Sequence, residues 1–141
     1  MLSKKAQYAL KATGYLAARF NGGPVQILEI SEKKKIPLKF LENILLELRK
    51  AGVLESKKGK GGGYYLLESP EKVSLAKIIR IVDGPISMLP CVSLHFYKKC
   101  SDCEEEVCKI NQVFIETRDA TIGVLEHKTL SDIIELQPSK K

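Results

Sequence analysis

Residues 31–66, SEKKKIPLKFLENILLELRKAGVLESKKGKGGGYYL, constrain the fold most, because two helix-like stretches, a break and a glycine-tipped basic hairpin follow one another. That order is the layout of a winged helix-turn-helix. Pro37, with its fixed backbone angle, suits a first helical position, and Leu41, Ile44, Leu45 and Leu48 share one face of the helix it opens. Gly52 ends that helix. Residues 53–57 and 64–67 read as strands, separated by Lys58, Gly59, Lys60 and three consecutive glycines. Such a loop suits the approach of a phosphate backbone.

The charge distribution supports a polyanionic partner. The net charge of +6 hides an asymmetry: residues 1–63 hold thirteen Lys/Arg against five Asp/Glu, and residues 64–141 hold ten against twelve. A concentrated positive field speeds capture of nucleic acid and makes binding depend on salt. No basic amphipathic helix with a large apolar face stands alone, which argues against a membrane surface. No apolar run reaches the eighteen or so residues needed to span a bilayer, and Met1 leads straight into a lysine-bearing helix, so a cytoplasmic protein is expected. With 44% apolar residues in 141, general disorder is excluded and one domain, or a small head with an extension, is expected.

Helical periodicity predicts further elements. Residues 3–20 form a first helix capped by Ser3, with Ala6, Ala9, Leu10, Thr13, Leu16 and Ala17 on its inner side. A second, over residues 27–34, buries Ile27 and Ile30 and exposes Lys33, Lys34 and Lys35. After the wing, Ser74 caps a helix carrying Leu75, Ile78, Ile79 and Val82, closed by Gly84 and Pro85. Residues 86–101 lack a period and read as a loop. A longer helix is expected to begin near Asp102, with Glu104, Glu105 and Glu106 in its first turn, where negative charge meets the helix dipole. Along it, Val107, Ile110, Val113, Phe114, Thr117, Thr121, Val124 and Leu125 form a stripe wider than one small head can cover, which calls for a second subunit. Thr129 and Asp132 resemble a capping box opening a last short helix. His127 reads as a helix-end residue.

The motifs LSKKAQYAL, IPLKFLENIL and GKGGGYYL, followed by VSLAKIIRIVDG and TLSDII, closely resemble the Rrf2 family of bacterial transcription regulators, of the IscR, NsrR and CymR type. The resemblance covers nearly the whole chain. It implies a mainly α fold with a small β wing: a winged helix-turn-helix DNA-binding domain over residues 1–84, then a cysteine-containing sensor loop and dimerisation helix over residues 85–141. It also implies a homodimer on double-stranded DNA at a pseudo-palindromic operator, with repression the expected mode. The DNA-binding candidates are Lys39, Glu42 and Asn43 on the recognition helix and Lys58, Lys60, Gly61 and Gly62 in the wing. Asn can pair with adenine, Glu can accept from cytosine, and Lys can reach guanine or a phosphate.

Cysteines 91, 100, 103 and 108 fall where cluster-binding members carry three cysteines around an iron-sulfur cluster, most often [2Fe-2S]. The position three after the last cysteine, His in some of those members, is Asn111. Two other occupancies stay open at this stage. Cys100, Cys103 and Cys108 with Cys91 or His95 would satisfy a tetrahedral zinc site, giving a zinc-stapled DNA-binding protein. Alternatively no metal binds, and a CymR-type regulator answers to a protein partner or to thiol oxidation.

Catalysis finds no support. GKGGG is not a nucleotide-binding P-loop, because position 54 is Leu and position 61 is Gly where that motif needs Gly and Ser or Thr. No βαβ pattern precedes Cys100 and Cys103, as a thiol oxidoreductase would require, and no nucleophile and base stand together.

Overall fold

The computed structural model describes residues 2–101, 104 and 108–135. Its elements are α1 (Lys4–Ala18), α2 (Ile27–Lys34), α3 (Leu38–Lys50), β1 (Leu54–Lys57), β2 (Gly63–Leu66), α4 (Leu75–Asp83) and α5 (Lys109–Leu125), with short 3-10 turns at Pro70–Lys72, Pro90–Val92 and Leu130–Ile133. The mainly α architecture with a two-stranded wing is as expected. Among the described residues no helix is long and apolar enough to cross a membrane.

α1 lies at the centre of the head. Ser3 Oγ caps it by accepting from the Ala6 amide at 3.0 Å and also donates to the Asp83 carboxylate at the far end of α4. Ala6, Ala9 and Ala12 are fully buried, so α3 and α4 pack against a face with almost no side-chain bulk. Thr13, also buried, satisfies its hydroxyl on the Ala9 carbonyl at 2.8 Å. The apolar face of α3, Leu41, Ile44, Leu45 and Leu48, is wholly covered. At roughly 25 cal/mol per Å² of apolar surface, such positions dominate the stability of the head.

Two turns orient α3. At its start, Lys35 takes the left-handed conformation (φ 54°), the Ile36 amide reaches back to the Ser31 carbonyl at 3.0 Å, and the Ser31 hydroxyl donates to the Ile36 carbonyl at 2.6 Å. Pro37 is the cap residue of α3 rather than its first helical residue. At the other end Gly52 (φ 83°) closes a Schellman motif, its amide on Arg49 and the Val53 amide on Leu48, each at 3.0 Å. The chain thereby turns directly into β1.

The wing is an antiparallel pair with Leu54 opposite Leu66 and Lys57 opposite Gly63. Val25 adds a bridge on the far side of β2, exchanging two backbone hydrogen bonds with Tyr64 at 2.8 and 2.9 Å. The glycines at the base of the loop serve this close approach. A Cβ on Gly62 would stand 2.1 Å from the Lys57 carbonyl oxygen, and one on Gly63 (φ 143°) would stand 2.3 Å from that of Val25.

The long helix begins later than the sequence suggests. Glu104 is not helical, and α5 starts at Lys109, where Cys108 Sγ accepts the Asn111 amide at 3.3 Å. Asp102, Glu105, Glu106 and Val107 lie outside the described residues. A run of carboxylates gives a favourable field at a helix start, but the start is set where an acceptor meets a free amide, and Cys108 supplies it. His127 closes α5 with its ring Nδ1 2.7 Å from the Gly123 carbonyl.

The capping box at Thr129 and Asp132 forms as expected, although it opens a 3-10 turn. That turn returns the chain to the head. Leu130 is fully buried in the main core, and its amide bonds to Val73 at 3.0 Å while the Leu75 amide bonds to Lys128 at 2.9 Å.

Gly63→Ala is expected to destabilise the protein by about 2 kcal/mol or more in urea denaturation, because a left-side backbone angle and a backbone clash coincide there. Gly61→Ala meets open space and has only the backbone angle (φ 75°) against it, so it should cost about 1 kcal/mol. Equal effects at the two positions would contradict the wing geometry.

Candidate nucleic-acid interface and cysteine cavity

The face of α3 opposite its buried residues carries Lys39, Asn43, Leu46 and Lys50, with Glu42 on the flank, and all five are exposed. Lys39, Glu42 and Asn43 thus stand together on the first two turns, as the sequence predicts. At the wing tip Lys58, Lys60 and Gly61 are exposed as well. Lys39, Lys58 and Lys60 form no ion pair among the described residues, so their charges are directed to solvent uncompensated. Gly62 differs: it is buried, and the Lys57 carbonyl fills the space beside its Cα. Its lack of a side chain serves the hairpin itself.

The lysine run ending α2 is not uniformly open. Lys33 and Lys35 are exposed, but Lys34 is largely covered, its ammonium 2.5 Å from Glu135 and 5.9 Å from the centre of the Tyr15 ring. Nearby, Glu29 accepts from the Tyr15 hydroxyl and from Arg19 Nη1 at 2.6 Å. The hydrogen bond from Tyr15, then that from Arg19, holds the Glu29 carboxyl below its usual range, while burial and the same contact raise the Tyr15 phenol. This trio fixes α2 on α1. Periodicity could not reveal it, since all three residues read as ordinary surface positions.

The chain after α4 folds into a turn. The Lys98 amide bonds to the Pro90 carbonyl at 3.1 Å, and the Phe96 amide to Ser93 Oγ at 3.0 Å. Arg118 on α5 secures this turn through the Val92 carbonyl at 2.8 Å. The result brings Cys91, Cys100 and Cys108 to the wall of one cavity of about 490 Å³, with Lys98 and Lys99 beside them. Cys103 lies outside the described residues, and His95 is exposed on the turn. Among the described residues no three His, Cys, Asp or Glu side chains are gathered closely enough to hold an ion.

Asn111 links two of the cysteines. It is 6% exposed, its side-chain amide donates to Cys91 Sγ at 3.4 Å, and its backbone amide meets Cys108 Sγ. Sequence reasoning identified this position only as a replacement for histidine. The signal that could have found it is its place three residues after a potential capping cysteine, where a backbone amide needs an acceptor.

Residues 2–136 match the Rrf2 family, described as "Iron-dependent Transcriptional regulator". The chain is 42% identical over 138 residues to an rrf2-like HTH-type transcriptional regulator of Rhodobacter capsulatus, covering 95% of this chain and 92% of that one. It is 31% identical to the HTH-type transcriptional regulator CymR of Bacillus subtilis, covering 94% and 88% of the two chains. Among solved structures, CymR of B. subtilis, "the Global Cysteine Regulator", superposes with a TM-score of 0.79 at 30% identity and 95% coverage of both chains. IscR of T. potens superposes at 0.77 and 27% identity, over 95% of this chain and 85% of the other. With its recognition helix, wing and cysteine cavity in this arrangement, the chain belongs to the Rrf2 family of DNA-binding transcription regulators.

Proposed function

We propose that this regulator binds a pseudo-palindromic operator as a homodimer and adjusts that binding through its cysteine cavity. The observation that carries the DNA part is the outward face of α3, where Lys39, Glu42 and Asn43 stand exposed, together with the exposed wing lysines Lys58 and Lys60, which form no ion pair among the described residues. In this reading residues 1–84 form the reading head, Asn43 and Glu42 address base edges in the major groove, and Lys58 and Lys60 hold phosphates or enter the minor groove. Lysine at position 58 makes that grip chiefly electrostatic, since it lacks the planar fork of arginine.

The second subunit is argued from α5. Ile110, Val113 and Val124 are 64%, 58% and 57% exposed in one chain, on a helix that has no other described element to cover them. A second copy of the same helix, related by a two-fold axis, buries such a stripe and sets the distance between two heads.

The thiols of Cys91, Cys100 and Cys108 share one cavity wall but are not gathered closely enough to hold an ion as they stand, so an iron-sulfur cluster there would have to draw them together, with Cys103 as the fourth thiolate. Such a cluster, when bound, supplies a reporter of iron and redox state. Cys108 is also the cap of α5, and Asn111 ties it to Cys91. A chemical change at either sulfur therefore reaches the first turn of the dimerisation helix, and shifts the heads if the two states differ in head spacing. A metal-free regulator answering to thiol oxidation or a protein partner is the second reading. It is favoured by the Asn111 amide, which already lies against Cys91 Sγ.

Log-log plots of operator affinity against salt are expected to fall by roughly 0.9 per phosphate contacted. Lys58→Ala and Lys60→Ala should each flatten that slope and weaken all sequences alike, whereas Asn43→Ala should remove about 1–3 kcal/mol of discrimination at one base pair per half-site. A salt-independent affinity would overturn the DNA contacts assigned to these residues.

Sedimentation tests the dimer. Val113→Asp puts a charge on a position already open in one chain, so helical content should persist while the dimer dissociates and operator affinity falls. A dimer unchanged by the substitution would place the interface elsewhere.

Anaerobic purification followed by an absorption spectrum and iron and zinc analysis separates the occupancies. Visible absorption with bound iron, lost in Cys91→Ser and Cys108→Ser, is the expected result. Colourless, metal-free protein that still binds its operator would favour the second reading.

A further inference from the structure

Phe40 is a large apolar side chain on the first turn of α3, and it is 40% exposed. Its ring is not loosely displayed. It meets Tyr8 of α1 edge to face at 5.5 Å and 80°, and Lys4 Nζ lies 5.3 Å from the centre of the Tyr8 ring. Phe40 shares a shallow depression with Asn43 and Leu46, edged by Lys50 and by Lys5, whose ammonium is paired with Glu47 at 2.8 Å. The patch is thus apolar at its floor, carries one amide able to read a base, and has at its edge the Lys50 ammonium, which forms no ion pair among the described residues. A polyanion with methyl groups in its groove has the complementary chemistry.

Given α3 as the helix that enters the major groove, on which this assignment rests, we propose that Phe40 is a specificity-determining residue that reads the 5-methyl group of a thymine next to the base addressed by Asn43. Residues three apart on a helix stand about 5–6 Å from one another, which spans no more than two base steps of roughly 3.4 Å. Phenylalanine offers no hydrogen bond, so it distinguishes thymine only through the methyl group, the one apolar feature on the major-groove edge. Tyr8 fixes the ring, so the contact is made without first ordering a free side chain.

Deoxyuridine, which keeps the O4 acceptor of thymine and lacks the methyl, is the probe. A binding site is first selected from a random duplex library with the wild-type chain. Each thymine of that site is then replaced singly by deoxyuridine, and affinity is measured at fixed salt for the wild type, Phe40→Ala and Phe40→Gln. At one position per half-site the wild type should lose about four-fold in affinity, corresponding to ~0.8 kcal/mol for one buried methyl group. Phe40→Ala should bind the two sites alike; Phe40→Gln, which keeps length over Tyr8, should do the same if Phe40→Ala fails to fold. Wild-type affinity equal for thymine and deoxyuridine at every position overturns the role of Phe40 and leaves DNA reading by α3 intact. Methyl discrimination that persists in both variants overturns it too. If no site is enriched from the library, the reading of α3 itself falls and this inference with it.

Discussion

The alanine face of α1 decides how closely everything else in the head can approach. Ala6, Ala9 and Ala12 leave α3 and α4 to pack against bare helix backbone, so large residues are needed from the partners alone, and Leu41, Ile44, Leu45 and Ile78 supply them fully buried. Helices in contact through small side chains lie at the short end of the usual 8–10 Å separation. That closeness holds α3 firmly on its inner side. A larger side chain at any of these fully buried alanines would have no room unless the helices packed on α1 shifted.

Much of this was legible in the sequence, for a physical reason. Burial on one face imposes a period of 3.6, and α1, α3 and α4 show it plainly, while the strands are marked by the glycines between them. The outward positions on α3 follow from the inward ones by rotation alone. What stayed hidden depends on partners distant in sequence. Lys34 reads as a solvated lysine until Glu135, a hundred and one residues away, is seen beside it. Gly62 and Gly63 suggest access for a ligand, yet their bare α-carbons accommodate the protein's own carbonyls. The start of α5 was placed too early because charge marks where a helix would be tolerated, and a cap marks where it begins.

The positive surface and the cysteine cavity share no residue, and α5 reaches the head through α4, against which α3 also packs. The positive surface lies on α3 and the wing, while the cysteine cavity lies at the start of α5, where Cys108 caps the helix and Arg118 secures the preceding turn. The Ser3 to Asp83 contact joins the beginning of α1 to the end of α4, just before the chain leaves for the cysteine-bearing turn.

Leu130 gives that segment an unusual mechanical status. Because Asp83 ends α4 within the head and Leu130 returns to the same core, the intervening chain is a closed excursion anchored at both feet. The entropic cost of such a loop grows only with the logarithm of its length, about 0.6 kcal/mol for each doubling. Spacing between the cysteines can therefore lengthen or shorten at little expense to the head, since both ends are held by contacts that do not involve them. A fold of this kind is a socket: the head and its two anchors stay constant while the length and sequence of the chain between them are free to change.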